Sequence, residues 1–387
     1  MVITGVGAVS AAGLGAGALW DAVAGGRVLT GPITRYDLSG YPTQRAAEVP
    51  PAALSTLDDV VPAHDSLAGG YLAAASLEAL AQAGIPPRTR RERVGVFAGT
   101  VMGTRPVHDR DPDAPAWARP AELLAPLRDV VTVDGPRVLL APGCAAGNAA
   151  VAAGRTAVAA GEVDVAICGG TDELSLEVFA FFTAMRALAP DTIRPFDAHR
   201  RGTMPGEGAG VLVLESATRA ARRGARPLAR VLACASAADA FSVTQPHPDG
   251  AGLAATIHAC LARAGRAADE VDWVCAHGTG TRANDGVEAR AVAKALAGRR
   301  RPVLSSVKGQ LGHAEGGAAA LEAVIAVRAL TENLVPGNAT LIEPDPECGG
   351  VDLVPPGGRR TTVDLVLSQA YGFGGAVCTI LLGGIHG

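Results

Sequence analysis

Short β-rich runs alternate with alanine-rich helical runs along the whole chain, and that alternation most restricts what it can fold into. Strand-like runs fall at Val2–Val9, Val94–Ala98, Arg137–Leu140, Asp164–Cys168 and Gly210–Leu214. A second set follows at Leu228–Ala233, Val271–Ala276, Val303–Ser305, Val363–Leu367 and Val377–Leu382. Helix candidates lie at Leu14–Ala24, Ser66–Ala83, Ala145–Ala160, Gly252–Ala264, Asp285–Leu296 and Gly316–Leu330. Apolar strands separated by helices of roughly 10–15 residues predict βαβ units around a largely parallel, buried sheet. At 387 residues the chain exceeds one simple core. Element order is comparable on the two sides of Ser216–Arg226, so the expectation is an α/β protein of two similar halves, residues 1–215 and 216–387.

Composition narrows the function classes. Hydrophobic residues make up 48% and charged residues 19%, which describes a well-buried globular enzyme. A formal charge of −4 gives no basic face for nucleic acid. No uninterrupted apolar run approaches the roughly 18 residues of a membrane span. Met1 leads directly into a strand-like run with no basic segment, so no secretion signal is expected. The seven cysteines are scattered, odd in number and never spaced CxxC, which predicts free thiols in a reducing compartment. A soluble, cytoplasmic protein is the expectation.

One cysteine differs in its setting. Pro142-Gly143-Cys144-Ala145-Ala146-Gly147 reads as a turn between a buried strand and a helix. A helix start favours a thiolate, and its free N–H groups can serve as one arm of an oxyanion hole. Two histidines sit in glycine-rich loops after strands, in Ala276-His277-Gly278-Thr279-Gly280-Thr281 and Lys308-Gly309-Gln310-Leu311-Gly312-His313. Ligand sites of parallel sheets gather at such strand ends. Thr279 and Thr281 add hydroxyls suited to a polar, linear ligand. Only two of the 34 basic residues are lysines, Lys294 and Lys308. A lysine five residues before His313 points to a need for a compact cation rather than a planar guanidinium. A zinc site of Cys144, His277 and His313 lacks any HExxH or close ligand pair, so no metal is expected. Gly5-Val6-Gly7-Ala8-Val9-Ser10 imitates a dinucleotide fingerprint, but its third glycine and its acidic residue are missing. It reads as a first strand and turn.

With these residues laid out, the chain resembles the beta-ketoacyl synthases, condensing enzymes of the thiolase fold. The resemblance runs nearly end to end. It takes in Val2-Ile-Thr-Gly-Val-Gly, the cysteine turn, Gly169-Gly170-Thr171-Asp172, Arg194-Pro-Phe-Asp197 and Gly206-Glu-Gly-Ala-Gly210. It continues through both histidine motifs to Tyr371-Gly-Phe-Gly-Gly375. The resemblance implies duplicated βαβαβαββ halves in five layers, α-β-α-β-α. Cys144 matches the acyl-accepting nucleophile. His277 and His313 match the pair that binds the malonyl thioester carbonyl and promotes decarboxylation, Lys308 matches the lysine beside them, and Glu322 its carboxylate partner. The backbone N–H groups of Cys144 and Tyr371 match the oxyanion hole, and Thr279 and Thr281 the phosphopantetheine-binding threonines, with Asp285 in the adjoining motif. Met102 falls at the acyl pocket. Phe241 and Thr244, with Tyr371 and Phe373, fall in two gating loops.

The implied reaction is a decarboxylative condensation of an acyl group on Cys144 with malonyl on an acyl carrier protein. It uses no intrinsic cofactor, because the substrates ride on the carrier's phosphopantetheine. The partners expected are that acidic carrier, met by an arginine patch including Arg200 or Arg201, and a second subunit in a homodimer or heterodimer. Three departures from the family pattern stand out. The segment 103–139 is short, Ala145 replaces the usual Ser or Thr after the cysteine, and Tyr371 replaces phenylalanine at the gate. These fit specialised polyketide biosynthesis better than housekeeping fatty-acid synthesis. Two other functions suit the same scaffold: an acyltransferase forming an ester or amide without decarboxylation, and a non-catalytic partner shaping another synthase's pocket.

Overall fold

The computed structural model describes residues 1–61, 66–89, 92–110, 120–298 and 300–385. Its main elements in the first half are β1 (Val2–Ser10), α1 (Leu67–Ala83), β2 (Val94–Gly99), β3 (Arg137–Leu140), α2 (Ala146–Ala159), β4 (Val165–Asp172) and β5 (Gly208–Glu215). The second half supplies β6 (Ala229–Ala238), α3 (Ala251–Ala264), β7 (Trp273–Cys275), α4 (Arg282–Ala295), β8 (Val303–Ser305), α5 (Glu315–Glu332), β9 (Asp352–Leu353), β10 (Leu365–Gly372) and β11 (Ala376–Gly383).

These strands form one sheet in the order β9-β8-β7-β10-β11-β6-β1-β5-β4-β2-β3. The first five strands of the chain run 3-2-4-5-1. Strands β6, β7, β8, β10 and β11 repeat that order on the other side of the β6–β1 junction. The sheet is mixed, whereas the alternation predicted a largely parallel one. Strands β4, β2 and β3 are parallel, as are β10, β7, β8 and β9, but β5 and β11 run antiparallel to their neighbours. The reversal at β11 has a local cause. Only three residues join β10 to it, and Gly374 and Gly375 take φ of 83° and 81°, a conformation that favours glycine in a tight hairpin.

Period-2 burial turns the sheet halves into layers. In β5, Leu212 and Leu214 face the central core while Val211 and Val213 face α1. In β10, Val366 faces the centre while Leu365 and Leu367 face α3 and α4. Helices α2 and α5 lie between the two half-sheets, α1 covers one outer face, and α3 with α4 the other. The result is five layers with α2 and α5 in the middle. Gly5 and Gly7 serve this packing: a Cβ on either would lie 1.9–2.0 Å from a carbonyl oxygen of α1. The glycines of the apparent dinucleotide motif are thus a helix-packing face. Helices at Pro51–Val60 and Leu176–Ala184 were not anticipated, and both have only short apolar patterns. Of the segment Arg105–Pro120, read from sequence as an exposed loop, residues 107–110 form a short helix and 111–119 lie outside the described residues. No helix among the described residues is long and apolar enough to cross a membrane, and all seven cysteines are free.

Candidate active site

Cys144 sits in a 3₁₀ turn, Gly143–Ala145, that feeds straight into α2. The turn is crowded: a Cβ on Gly372, at the end of β10, would stand 2.5 Å from the Pro142 carbonyl and 3.1 Å from the Cys144 amide nitrogen. Only an absent side chain lets Tyr371-Gly372 close on the nucleophile turn. His277 leaves the end of β7, and its loop is held by Glu288 on α4, which accepts from the His277 and Gly278 amides at 2.7 and 2.8 Å. His313 leaves the short helical turn Lys308–Leu311 and precedes α5.

One cavity gathers Cys144, His277 and His313, with Thr279, Thr281 and Thr244 on its walls and Tyr371 and Phe373 beside the nucleophile. The imidazole centroids are 5.4 Å apart and near-perpendicular. Thr279 and Thr281 share a hydroxyl–hydroxyl bond of 2.9 Å, and Thr281 also caps α4. Among the other predicted residues, Phe241 is 52% exposed and stacks edge-on with His247. Met102 does not line this cavity. It packs against the cluster of Phe179, Phe182 and Leu188, which Phe373 also joins.

Electrostatics set the protonation states. Burial, and then the Lys308 ammonium, hold both imidazoles well below their ordinary value, so both are neutral at pH 7. The backbone amide of Glu315 donates to Nδ1 of His313 at 3.2 Å, which leaves the His313 proton on Nε2. Lys308 itself is paired with Glu322 in a fully buried ion pair. Burial lifts the Glu322 carboxyl to about 7 against the pull of Lys308.

Two expectations are corrected here. The helix start was expected to hold Cys144 as a thiolate, but burial and the neighbouring Glu315 push the thiol well up. Arg200 was expected on an exposed carrier-binding patch, yet it is 1% exposed. Its guanidinium pairs with Asp345 and donates to the carbonyls of Asp197 and Thr281 at 3.0 and 3.3 Å, bracing the threonine loop from behind. Arg201 is exposed and pairs with Asp191 at 3.1 Å.

Sequence reasoning missed Glu315. It is buried, adopts φ of 47°, and places Oε2 3.5 Å from the Cys144 Sγ. Sγ, a His313 ring nitrogen and a Glu315 oxygen all lie within 4.8 Å of one another. The one available signal was a single acid in the small-residue run Gly312–Ala320. Asp172 closes the Gly169–Asp172 motif at the end of β4. It accepts from Thr100 Oγ1 and from the Val101, Met102 and Gly316 amides at 2.6–3.0 Å, and so ties β2, β4 and α5 together under the site.

Comparison with known proteins agrees with this arrangement. Residues 1–220 match the family model "Beta-ketoacyl synthase, N-terminal domain", and residues 228–341 match "Beta-ketoacyl synthase, C-terminal domain". The chain is 33% identical to the tetracenomycin polyketide synthase ketoacyl synthase alpha subunit of Streptomyces glaucescens, covering 97% of this chain and 95% of the relative. It is 32% identical to the 3-oxoacyl-[acyl-carrier-protein] synthase 2 of Coxiella burnetii (strain RSA 493 / Nine Mile phase I), over 99% and 98% of the two chains. Among solved structures, the ishigamide ketosynthase/chain length factor superposes with a TM-score of 0.90 at 33% identity, over 99% of this chain and 98% of that one. A thiolase-like fold with a Cys-His-His cavity and matches across both halves therefore belongs to a condensing enzyme: the chain is a member of the beta-ketoacyl synthase family.

Proposed function

We propose that this protein takes an acyl group from an acyl carrier protein onto Cys144 and condenses it with malonyl on a second carrier, in specialised polyketide biosynthesis. The observation that carries this reading is the single cavity holding a thiol and two neutral imidazoles, lined by two threonine hydroxyls. Thr279 and Thr281 suit the amide-rich phosphopantetheine arm. The Cys144 thiol attacks the acyl thioester carbonyl, whose oxyanion the Cys144 and Tyr371 amides receive, and the carrier leaves as its thiol.

Malonyl thioester then enters. Its carboxylate leaves as carbon dioxide, and the C–C bonding pair moves toward the thioester oxygen as an enolate. His313 Nε2–H and the N–H of His277 stabilise that oxygen without giving up a full proton. The enolate carbon attacks the acyl-Cys144 carbonyl, Cys144 departs and regains a proton, and a beta-ketoacyl carrier two carbons longer is released. Lys308 is a positioning and field residue in this scheme, because its ammonium opposes an imidazolium at either histidine.

Residues 1–215 and 216–387 act as the two halves that supply the cysteine and the histidines. A dimer, of two copies or with a second ketosynthase-like subunit, fits the likeness to a ketosynthase/chain length factor structure. Of Arg200 and Arg201, the exposed one is Arg201, and its charge suits an acidic carrier.

Intact-mass spectrometry with acyl and malonyl carrier proteins tests the reading. An acyl adduct on wild type but not on Cys144→Ala, followed by malonyl-dependent release of an extended product, is expected. An adduct that never consumes malonyl overturns the condensation in favour of transfer to another acceptor. No adduct at all overturns the acyl-enzyme.

A further inference from the structure

The nucleophile has a carboxyl beside it as well as the histidines: that of Glu315. Its Oε2 accepts from the Cys144 thiol at 3.5 Å, while Oε1 is buried with no hydrogen-bond partner among the described residues. A carboxyl that is only 5% exposed and half unsatisfied is costly to keep unless it does something there. The backbone adds to the cost, because a non-glycine residue at φ 47° is strained. The position is also defined from three sides. The Glu315 amide is tied to His313, the next amide to Asp172, and the side chain to Cys144.

Two helices converge on this pair. Cys144 lies in the turn that opens α2, and Glu315 is the first residue of α5, so both groups sit at positive helix ends. Such a field favours one negative charge at the pair. A second is opposed by the repulsion of thiolate and carboxylate at hydrogen-bond distance. The pair therefore carries at most one negative charge, which resides on sulfur or on oxygen once one of its two protons has left.

We propose that Glu315 is a catalytic acid–base partner of Cys144: it takes the thiol proton as Cys144 attacks the acyl thioester and returns it to the departing carrier thiolate. The step balances as acyl–S–carrier plus HS–Cys144 giving acyl–S–Cys144 plus HS–carrier. The S–C bond forms at Cys144, the carrier's S–C bond breaks, and the proton passes by way of the Glu315 carboxylate. Cys144 and His313 lie beside Glu315, and the charges of Asp172 and Lys308 act on it through space. Burial first, and then Asp172, raise its carboxyl to about 8, so it can both accept and release a proton near neutrality. The inference rests on the acyl-Cys144 reading above.

The test compares wild type with the near-isosteric Glu315→Gln and with Glu315→Asp, in buffer containing a chelator because Cys144, His313 and Glu315 are metal-ligand types. Iodoacetamide labelling of Cys144, resolved by peptide mass against Cys144→Ala, reads the thiol without any acyl substrate. Removing the carboxylate is expected to move the labelling midpoint to lower pH, so that Glu315→Gln is labelled several-fold faster near pH 7.5. Transfer from an acyl-pantetheine thioester is expected to be at least 10-fold slower in the same variant and partly restored in Glu315→Asp. A merely structural role would slow both reactions or neither, and circular dichroism melts identify any variant that has not folded. Transfer by folded Glu315→Gln at the wild-type rate, or an unmoved labelling midpoint, overturns the proposal while leaving acyl-Cys144 intact. Wild type that is labelled at Cys144 but never acylated removes the acyl-enzyme reading and this inference with it.

Discussion

The amide of Glu315 donates to Nδ1 of His313 at 3.2 Å, and this one bond orients the imidazole that faces the nucleophile. It fixes the tautomer from the backbone, so the N–H left for a substrate oxygen is on Nε2. His277 has its loop held by Glu288 instead. The two histidines thus reach the same cavity through different supports, and their removal should be separable from removal of the cysteine.

His277→Ala and His313→Ala should each lower malonyl decarboxylation by about 100-fold or more, the usual scale for a positioned proton donor. Acyl transfer to Cys144 should persist in both. Parallel measurement of carbon dioxide release and acyl-enzyme mass checks the split; equal loss of both would refute it.

Lys308→Met removes one member of a fully buried ion pair. Leaving Glu322 alone should destabilise the fold by roughly 3 kcal/mol, and Lys308→Met with Glu322→Leu should recover much of it. In the double variant the cation no longer depresses the imidazoles, although burial, the larger cause, still does. Their values rise, so the acid limb of the decarboxylation profile should move to higher pH. Denaturant titration and a pH–rate profile read the two effects.

Glu315 also links stability to pH. Its folded value, about 8, lies above its ordinary 4.5, so between these values the folded chain keeps a proton that the unfolded chain has released. This contribution is complete below pH 4.5 and is lost as pH rises through 8, at up to about 1.4 kcal/mol per pH unit. The fall in stability with rising pH should be shallower in Glu315→Gln, and a series of thermal melts across that window would show it.

Gly372→Ala should act on the nucleophile through the backbone. Its Cβ would meet the Pro142 carbonyl at 2.5 Å, and neither partner is a flexible side-chain end. A loss of roughly 1–3 kcal/mol is expected, with slower acylation of Cys144 out of proportion to the fraction unfolded. Unchanged acylation by the folded variant would show that the turn tolerates the shift.

Arg201→Glu should raise KM for carrier-borne substrates and leave small thioester donors unaffected. Arg200→Glu should instead destabilise the fold, because it places a second carboxylate against Asp345 and frees the Thr281 carbonyl. Kinetics with carrier and pantetheine substrates, beside thermal melts, distinguish the two.

What the sequence determined by itself was local. Alternating apolar runs placed most strands and the long helices to within a few residues, because burial period and helix formers act over one element. The glycine-flanked Cys144, His277 and His313 were legible for the same reason: each needs a short strand-end turn that its neighbours write out. The lone lysine beside His313 found its partner Glu322 through the family pattern. Tertiary structure decided the rest. The mixed strand directions depend on a three-residue hairpin, and the five layers on which face of α2 and α5 meets which half-sheet. Arg200 looked like a surface cation until residues 145 positions away buried it against Asp345. The thiol looked like a thiolate until burial, and then Glu315 at 3.5 Å from 171 positions on, held its proton in place. Charge state depends on burial and on neighbours through space, and neither is a property of a residue's place along the chain.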